Sequence, residues 1–256
     1  MQQRVAQNLN ETSSFGYPAA VNSDTAEDRI RASGLSKSYD NTIALSDVNI
    51  DVRDGESVAI MGPSGSGKTT LLHVLAGIIQ PDAGEVLLQT KTGQKDVAKL
   101  NDEERSDLRL VEFGFVFQQG LLIPELTAME NVSLPLLLQG VARDEARKRS
   151  EVLLDELGLA GLGTRRIGQL SGGQAQRVAI ARARVTGARV IFGDEPTGAL
   201  DSKTAHEVMT ALLDSTVGQG RSLIVVTHDE SVAERCSRIV RLRDGKIVQT
   251  KSETQR

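Results

Sequence analysis

The spacing of hydrophobic and polar positions divides the chain into three parts. In the first part, apolar and polar side chains alternate over residues 30–39 and 43–52, which predicts two strands joined by a turn. The apolar run at residues 58–61 predicts a buried strand followed by a helix, and residues 85–88 predict another strand. We therefore expect antiparallel strands beside an α/β unit.

The middle part has the composition of helices. Residues 121–170 are rich in Leu, Ala, Glu and Arg, and residues 143–157 predict an amphipathic helix. Its apolar side is expected to carry Val152, Leu153 and Leu157. We expect a mostly helical insertion here.

The last part alternates strands with helices. Residues 189–192 and 223–226 are apolar runs that predict buried strands, and residues 204–213 predict a helix between them. Residues 239–250 predict a terminal hairpin around an Asp-Gly turn. Apolar runs that alternate with helices are typical of a parallel sheet covered on both faces. The predicted fold class is α/β.

Composition narrows the classes of partner and compartment. The chain has 256 residues, a net charge of −4 and 3% aromatic residues, which disfavours a nucleic-acid partner. Its single cysteine, Cys236, indicates a reduced, intracellular setting and is expected to be a small buried hydrophobe. Residues 1–28 are polar and predict a disordered extension without the pattern of a secretory signal. No apolar run is long enough to span a bilayer, so a membrane role needs another chain as anchor.

A glycine-rich segment after the strand at residues 58–61 carries the first chemistry. Its order, G-x-x-x-x-G-K-T, is that of a P-loop, where backbone N–H groups and a helix N-terminus face a phosphate. Lys68 can reach the β- and γ-phosphates of a nucleotide, and the Thr69 hydroxyl can bind Mg²⁺. The alternative, a glycine loop that matches by chance, is disfavoured by the strand–loop–helix context. The predicted nucleotide-binding residues here are Gly62, Pro63, Ser64, Gly65, Ser66, Gly67, Lys68, Thr69 and Thr70.

Two acids directly follow a later apolar strand, as in a Walker B motif. Asp194 at the strand end would help to hold Mg²⁺, and Glu195 would polarise the attacking water. By itself such a pair is more often a surface feature. After a P-loop, in a parallel-sheet context, we favour the functional interpretation.

A second segment that could bind an anion lies at the start of the helix predicted over residues 175–183. The segment Leu-Ser-Gly-Gly-Gln places a hydroxyl and free N–H groups at the helix start, although a merely capped helix would look similar. The residues predicted to bind nucleotide here are Ser171, Gly172, Gly173 and Gln174. With LSGGQ after a P-loop, the sequence resembles the ATP-binding subunits of ABC transporters, from about residue 30 to its end.

The resemblance implies an architecture. It implies a P-loop NTPase core with a mainly parallel sheet and an N-terminal antiparallel β subdomain. A helical subdomain of about residues 120–175 is inserted into this core, and residues 29–256 form one ABC ATPase domain.

The resemblance also implies roles for single residues. Gln118 resembles the Q-loop glutamine, which senses Mg²⁺ and the γ-phosphate, and Tyr39 resembles the aromatic residue that stacks on adenine. Asp201 lies in a segment similar to the D-loop, which touches the opposing subunit, and His228 resembles the switch histidine. Without the family, Tyr39 and His228 would be read as structural residues.

The implied catalytic residues are Lys68, Gln118, Glu195 and His228. The implied Mg²⁺ ligands are Thr69, Gln118 and Asp194. Tyr39 and Asp201 are also implied to bind ATP, together with the P-loop and LSGGQ residues named above.

The family's mechanism implies partners. Two such subunits pack head to tail, so that each ATP, with its Mg²⁺, is held by one subunit's P-loop and the other's LSGGQ. The expected partners are thus a second copy of the chain and integral-membrane permease subunits. The expected location is the cytoplasmic face of the membrane, peripheral through the permease.

Residues 114–119, 124–132 and 194–201 resemble one branch of the family, the macrolide-exporter and lipoprotein-releasing ATPases. Gly120 and Gly193 depart from the usual pattern, as does Ala175, but none of these changes removes a catalytic group. The branch implies an ATPase that powers export of an amphiphile, drug, peptide or haem through a separate permease. An ATPase that drives a mechanical or cell-division complex without transport is the alternative. A translation or DNA-repair ATPase would be expected to carry tandem cassettes or a long coiled-coil insertion, and the sequence shows neither.

Overall fold

The computed structural model describes residues 28–252. The predicted disordered extension therefore lies outside the described residues, except for Asp28, which begins the first strand. Within residues 28–252, each helix is too short or too polar to cross a lipid bilayer.

Ten strands and seven helices make up the described part of the chain. In chain order, the strands are β1 (Asp28–Tyr39), β2 (Thr42–Arg53), β3 (Ser57–Met61), β4 (Ala83–Thr90), β5 (Gly93–Asp96), β6 (Phe113–Phe117), β7 (Val190–Asp194), β8 (Ser222–Val226), β9 (Arg238–Arg243) and β10 (Lys246–Ser252). The helices are α1 (Lys68–Leu75), α2 (Asp102–Glu112), α3 (Ala128–Leu138), α4 (Arg143–Glu156), α5 (Gly172–Arg184), α6 (Ser202–Ser215) and α7 (Glu230–Ala233).

The strands form two sheets. The first is antiparallel, in the order β2-β1-β4-β5, and the second has six strands in the order β10-β9-β3-β8-β7-β6. In the second sheet β6, β7, β8, β3 and β9 run parallel, and β10 pairs antiparallel with β9. The prediction of an α/β fold with a front antiparallel sheet and a mainly parallel core is confirmed. The terminal hairpin is also confirmed, and it is a part of the core sheet.

The core consists of two apolar clusters on opposite faces of the six-stranded sheet. Side chains alternate along β3, so that Val58 and Ile60 join one cluster while Ala59 and Met61 join the other. The first cluster is shared with α1 and the antiparallel sheet, and the second with the helices α3 to α6. The sheet is therefore buried on both faces, as its β-branched strands require.

Two helices, α3 and α4, lie in the segment predicted to be helical. The α4 helix matches the predicted bounds, but Val152 is 57% exposed, so its predicted place on the apolar side is wrong. The buried positions are Ala146, Ser150 and Leu154, four residues apart, because the core contacts only a narrow stripe of this charged helix. Leu157 is buried as predicted.

The sequence pattern did not predict α2 or β5. The α2 helix is marked by a capping box, in which Asn101 accepts from the Glu104 N–H and the Glu104 carboxylate accepts from the Asn101 N–H. That motif was a readable signal of the helix start. Cys236 is 1% exposed and burial raises its pKa to about 12, which confirms the prediction of a buried, unreactive thiol.

Candidate functional site

Four parallel strands end at the same level and bring their following loops to one edge of the core sheet. Phe117 of β6 pairs with Asp194 of β7, Asp194 pairs with Val226 of β8, and Val226 pairs with Ile60 of β3. Asp194 is the last residue of β7, and Gln118, Glu195, His228 and the P-loop begin within two residues of these strand ends. The edge beyond the carboxyl ends of strands is where open α/β sheets bind ligands.

The P-loop (residues 62–69) is folded tightly against other backbone. An added Cβ at Gly62 would lie 2.1 Å from the Leu242 carbonyl oxygen, and one at Gly67 would lie 2.2 Å from the Ala44 carbonyl oxygen. Gly67 also has φ of +100°, at the residue before α1 begins. Only glycine fits these two positions, because backbone atoms occupy the space of any side chain.

The terminal hairpin (β9, β10 and the turn between them) supports the P-loop through backbone hydrogen bonds of its turn. The Gly245 N–H in its turn donates to the Ser66 carbonyl at 3.1 Å, and the Gly245 carbonyl accepts from the Ser46 N–H at 2.9 Å. These two bonds link the P-loop, the hairpin and β2. The support consists of backbone atoms from segments that are far apart in the sequence.

Within the P-loop, the Lys68 ammonium is turned onto its own loop. Its Nζ donates to the carbonyl oxygens of Gly62 at 2.8 Å and Pro63 at 2.9 Å. The Ser66 hydroxyl is buried and has no hydrogen-bond partner within the described residues. The loop thus gathers a cation and an unpaired donor at the start of a helix, which suits an anionic ligand.

Asp194 and Glu195 lie at the end of β7 with different surroundings. Burial raises the pKa of Asp194, and the negative charge of Glu195 adds to this, while the nearby His73 and Lys68 lower it. A half-buried carboxylate beside a P-loop lysine is placed to accept a second cation.

Glu195 is held by the loop that follows β8. Its Oε1 lies 2.7 Å from Nδ1 of His228, and its Oε2 accepts from the Thr227 hydroxyl at 3.3 Å. Its backbone has φ of +48°, an unusual conformation for a residue with a side chain. Surrounding contacts fix this strained residue in place, as is common at functional sites.

Gln118 and Tyr39 are both exposed. A Cβ at Gly198, in the loop after β7, would lie 3.0 Å from Gln118 Nε2, so the glutamine lies against the predicted D-loop segment. Tyr39 ends β1 and is 44% exposed, with the Lys37 ammonium 5.8 Å from its ring centroid. Such an accessible ring suits the predicted stacking on a base.

The signature motif (residues 170–174) starts α5. The Ser171 hydroxyl accepts from the Gln174 N–H at 3.3 Å, and the Gln174 side chain accepts from the Ser171 N–H at 2.9 Å. A Cβ at Gly173 would lie 2.5 Å from the Thr204 methyl, so this helix start packs on α6. Within residues 28–252, no hydrogen bond joins this motif to the P-loop. The two segments that are predicted to bind phosphate therefore have separate hydrogen-bond partners within the described residues.

Asp201 has a structural contact in this chain. Its carboxylate caps α6 by accepting from the N–H groups of Lys203 and Thr204, both at 3.1 Å, and the bonds to Thr204 lower its pKa. The predicted nucleotide contact of Asp201 stays a prediction, since its carboxylate is engaged in the helix cap here. The residues that sequence reasoning missed are His73 and Thr227, since neither stands in a recognisable motif and only the packing places them beside Asp194 and Glu195.

Comparisons with known proteins agree with this geometry. The family described as ABC transporter matches residues 45–198. The macrolide export ATP-binding/permease protein MacB of Brucella melitensis is 46% identical over 223 residues, which are 86% of this chain and 34% of the relative. The probable syringafactin export ATP-binding/permease protein SyfD of Pseudomonas syringae is 44% identical over 214 residues, which are 84% of this chain and 32% of the relative.

Among solved structures, this chain is similar to the ATP-binding cassette MJ0796, a dimer in a post-hydrolysis state bound to ADP and Pi. The identity is 39% and the TM-score is 0.78, over 87% of this chain and 98% of that chain. The chain spans about a third of the length of the curated relatives that it matches. On its sequence, fold and site alike, the chain belongs to the ABC transporter family, as an ATP-binding cassette of the kind found in the MacB-type export proteins.

Proposed function

We propose that this chain hydrolyses ATP as one of two copies in a head-to-tail dimer and powers export through a membrane permease. The unit is the ABC ATPase domain of residues 29–256, with about residues 120–175 as its helical subdomain. The observation that carries the proposal is the register of β6, β7, β8 and β3, which places four motifs at one edge. The other half of the ATP site comes from the second copy.

The P-loop binds the phosphates of ATP. Its backbone N–H groups and the N-terminus of α1 carry partial positive charge, and Lys68 adds a full charge. In the structure the Lys68 ammonium donates hydrogen bonds to the Gly62 and Pro63 carbonyls. A triphosphate offers stronger, charge-assisted acceptors to the same ammonium group, so Lys68 exchanges these partners when ATP binds.

The donor set at this edge fits Mg²⁺. Thr69 offers a hydroxyl, Asp194 a carboxylate and Gln118 an amide oxygen, which are the hard oxygen ligands that this ion prefers. Mg²⁺ held there would neutralise charge on the nucleotide phosphates. The half-buried Asp194 would then have a cationic partner, which would offset the cost of its burial.

Glu195 acts on the attacking water. Its carboxylate is fixed by Thr227 and His228, so it can accept a proton or orient a water in one direction. His228 is 73% exposed at its side chain, which leaves its ring accessible to the γ-phosphate of ATP. Glu195 and His228 thus have different roles, since the carboxylate orients the water and the imidazole contacts the γ-phosphate.

The second copy completes the site. The signature motif offers Ser171 and the N-terminus of α5 to a phosphate, but no hydrogen bond joins it to the P-loop within the described residues. A head-to-tail arrangement lets each signature motif face the partner's P-loop, as the dimeric state of the similar cassette MJ0796 supports. ATP then lies at the dimer interface, and its hydrolysis weakens the interface.

A groove beside β6 supports attachment to a permease. It has a volume of about 440 Å³ and lies between α2, α3 and α5, with the stacked rings of Phe115 and Phe117 in its wall. Leu121 in its lining is 59% exposed. An exposed apolar side chain beside a groove with aromatic rings in its wall suits a docking surface. The chain is then peripheral, on the cytoplasmic face of the membrane.

The first experiment uses Glu195→Gln, with Glu103→Gln on the exposed face of α2 as the matched control. Because the amide cannot accept a proton, we expect Glu195→Gln to bind ATP, to lose at least about a hundredfold in kcat, and to accumulate as a dimer. Steady-state ATPase assays and size-exclusion chromatography with ATP measure these effects. Normal turnover by Glu195→Gln would refute the role of this residue, and full turnover by an isolated monomer would refute the dimer.

The second experiment uses Lys68→Ala. Loss of the ammonium removes the strongest charge in the cradle, so we expect ATP affinity to fall by roughly a hundredfold. Binding of a fluorescent ATP analogue measures this affinity. If the affinity is unchanged, the P-loop does not bind the phosphates in the proposed way.

The cargo is proposed by class. The relatives are named for macrolide, syringafactin and pyoverdine export, and we propose that this ATPase serves export of such an amphiphile or peptide. Purification of the full chain from membranes, followed by mass spectrometry, identifies the permease. Recovery of a partner that docks a cell-wall hydrolase and moves no substrate would favour the mechanical alternative.

A further inference from the structure

The Q-loop (residues 118–122) has an unusual backbone directly after the glutamine pair. Gly120 has φ of +66° and Leu121 has φ of +43°, so two consecutive residues are left-handed. For Leu121 this conformation is strained, because its side chain crowds the backbone. Contacts from residues outside the loop have to stabilise such a backbone conformation.

Arg182 of α5 is that support on one side of Gln118. One terminal nitrogen of its guanidinium donates to the Gly120 carbonyl and the other to the Leu121 carbonyl, both at 2.6 Å. The left-handed turn directs both carbonyls towards the same side chain. Within residues 28–252, Arg182 takes part in no ion pair with a carboxylate, and its burial lowers its pKa. Its planar fork is used on the loop alone.

Gln176, six residues earlier on α5, supports the other side of Gln118. It is 4% exposed, and its Nε2 donates to the carbonyl of Phe117 at 2.9 Å. Phe117 ends β6 directly before Gln118. The backbone is therefore fixed immediately before Gln118 and two residues after it, from a single helix.

The same helix begins with the signature motif. Its 13 residues form a rod of about 20 Å, with Ser171 as its cap and Arg182 near its other end. Most of its residues are buried between the core sheet and its neighbouring helices. A displacement of the rod therefore acts on the loop that carries Gln118.

We propose that Arg182, with Gln176, is a positioning residue that holds Gln118 in its catalytic place and ties it to the signature helix. The inference rests on the proposed role of Gln118 in ATP hydrolysis. Arg182 acts through the Q-loop backbone, and its loss has no effect of its own once Gln118 is absent.

A double-mutant cycle on the full chain tests this. Gln118→Ala and Arg182→Gln are each expected to lower kcat by roughly tenfold, with ATP affinity close to that of the wild type. The double variant is expected to have the kcat of Gln118→Ala alone. If the two losses multiply in the double variant, Arg182 acts elsewhere and the inference is overturned. Wild-type kcat in Gln118→Ala would refute the role of Gln118 itself, and the inference with it.

Two further variants separate positioning from charge and from stability. Arg182→Lys keeps the charge but loses the planar fork that presents one nitrogen to each carbonyl, so its kcat is expected to match that of Arg182→Gln. Full kcat in Arg182→Lys would overturn the clamp. Arg184→Gln is the fold control, because Arg184 is 6% exposed on the same helix and pairs with Glu156 instead of the Q-loop. We expect it to lower Tm and retain kcat, and an equal loss of kcat in it would overturn the inference.

Discussion

The P-loop and the Q-loop lie at the same edge of the core sheet but are held by different means. The P-loop is supported by backbone, since Gly62 lies against the Leu242 carbonyl and the Ser66 carbonyl accepts from the Gly245 N–H. The Q-loop is supported by the side chains of Gln176 and Arg182. The P-loop is thus held by main-chain atoms, and the Q-loop is held by side chains that a substitution can remove.

This difference separates a rigid part of the site from an adjustable one. Backbone contacts change only when the supporting strands move, so the P-loop keeps its shape as an anion cradle. Side-chain hydrogen bonds can break one at a time at a net cost of about 1 kcal/mol each. A loop held in that way can respond to what binds at Gln118, which suits a sensor of the γ-phosphate.

The largest effect is expected when the backbone support of the P-loop is broken. In Gly62→Ala, the new methyl would lie 2.1 Å from the Leu242 carbonyl oxygen and 2.7 Å from the Ser66 hydroxyl. The loop has to shift, so we expect ATP affinity to fall by at least about a hundredfold. Titration with a fluorescent ATP analogue measures the loss.

A glycine in open space provides the control for Gly62→Ala. Gly93 is the first residue of β5, has φ of +115°, and has no atom within 4 Å of an added Cβ. Gly93→Ala should lose some stability and bind ATP normally. Equal ATP affinity in both variants would show that the close packing of the P-loop is irrelevant to binding.

An intermediate effect is expected at Thr227, which is 1% exposed. Thr227→Val keeps the shape of the side chain and removes two hydrogen bonds of the hydroxyl, the one donated to the Glu195 carboxylate and the one accepted from the Asp229 N–H. The lost bond to a charged group is worth about 1.5 kcal/mol, which corresponds to roughly a tenfold lower kcat. ATPase assays at saturating ATP measure kcat, and KM should hardly change.

Thr216→Val is the matched control for Thr227→Val. Thr216 is fully buried, and its hydroxyl donates to the Leu212 carbonyl at 2.6 Å, at the end of α6. It should lose comparable stability with a normal kcat. If both threonine variants slow hydrolysis equally, Thr227 has no special connection to Glu195.

A smaller effect is expected at Gly120, the counterpart of Gly62 in the Q-loop. An added Cβ would have its nearest neighbours at 3.6 Å, so it fits, but φ of +66° remains unfavourable for alanine. We expect Gly120→Ala to lower the free energy of unfolding by about 1 kcal/mol and to leave ATP affinity unchanged. Urea denaturation and nucleotide titration measure the two quantities. A loss of ATP binding as large as that of Gly62→Ala would contradict the distinction between the two loops.

The smallest effect is expected at Asp229, next to His228. Asp229 caps α7 by accepting from the Ser231 N–H and hydroxyl, and the bond to that hydroxyl is the main cause of its lowered pKa. A lowered pKa means that the folded state prefers the carboxylate. The extra stability is therefore present above the ordinary pKa of 3.8 and is lost as pH falls through the lowered value.

Asp229→Asn tests this pH dependence, because asparagine keeps the cap and removes the charge. We expect the variant to be less stable near neutral pH by no more than about 0.5 kcal/mol. In urea titrations at several pH values, the difference between variant and wild type should persist down to the ordinary pKa of 3.8 and shrink as pH falls below it. A difference that grows on acidification would mean that the sign of the pKa shift is wrong.

Much of the site could be read from motifs, because its chemistry depends on short contiguous segments. The P-loop, Asp194 with Glu195, and His228 each follow a predicted apolar strand, and the structure brings them to one edge. The supports of these residues could not be read in this way. Thr227, Gln176 and Arg182 contact their targets across long separations in the sequence, where no local pattern marks a hydrogen bond.

The fold shows the same division. The sequence by itself determined the α/β class, the antiparallel front part and the terminal hairpin, because strand periodicity and turn residues are local properties. Only the tertiary structure decided that the hairpin joins the core sheet and braces the P-loop through Gly245. It also decided that Val152 faces solvent while Leu154 faces the core. Strand order and the buried stripe of a helix depend on contacts between distant segments, and these exist only once the chain has packed.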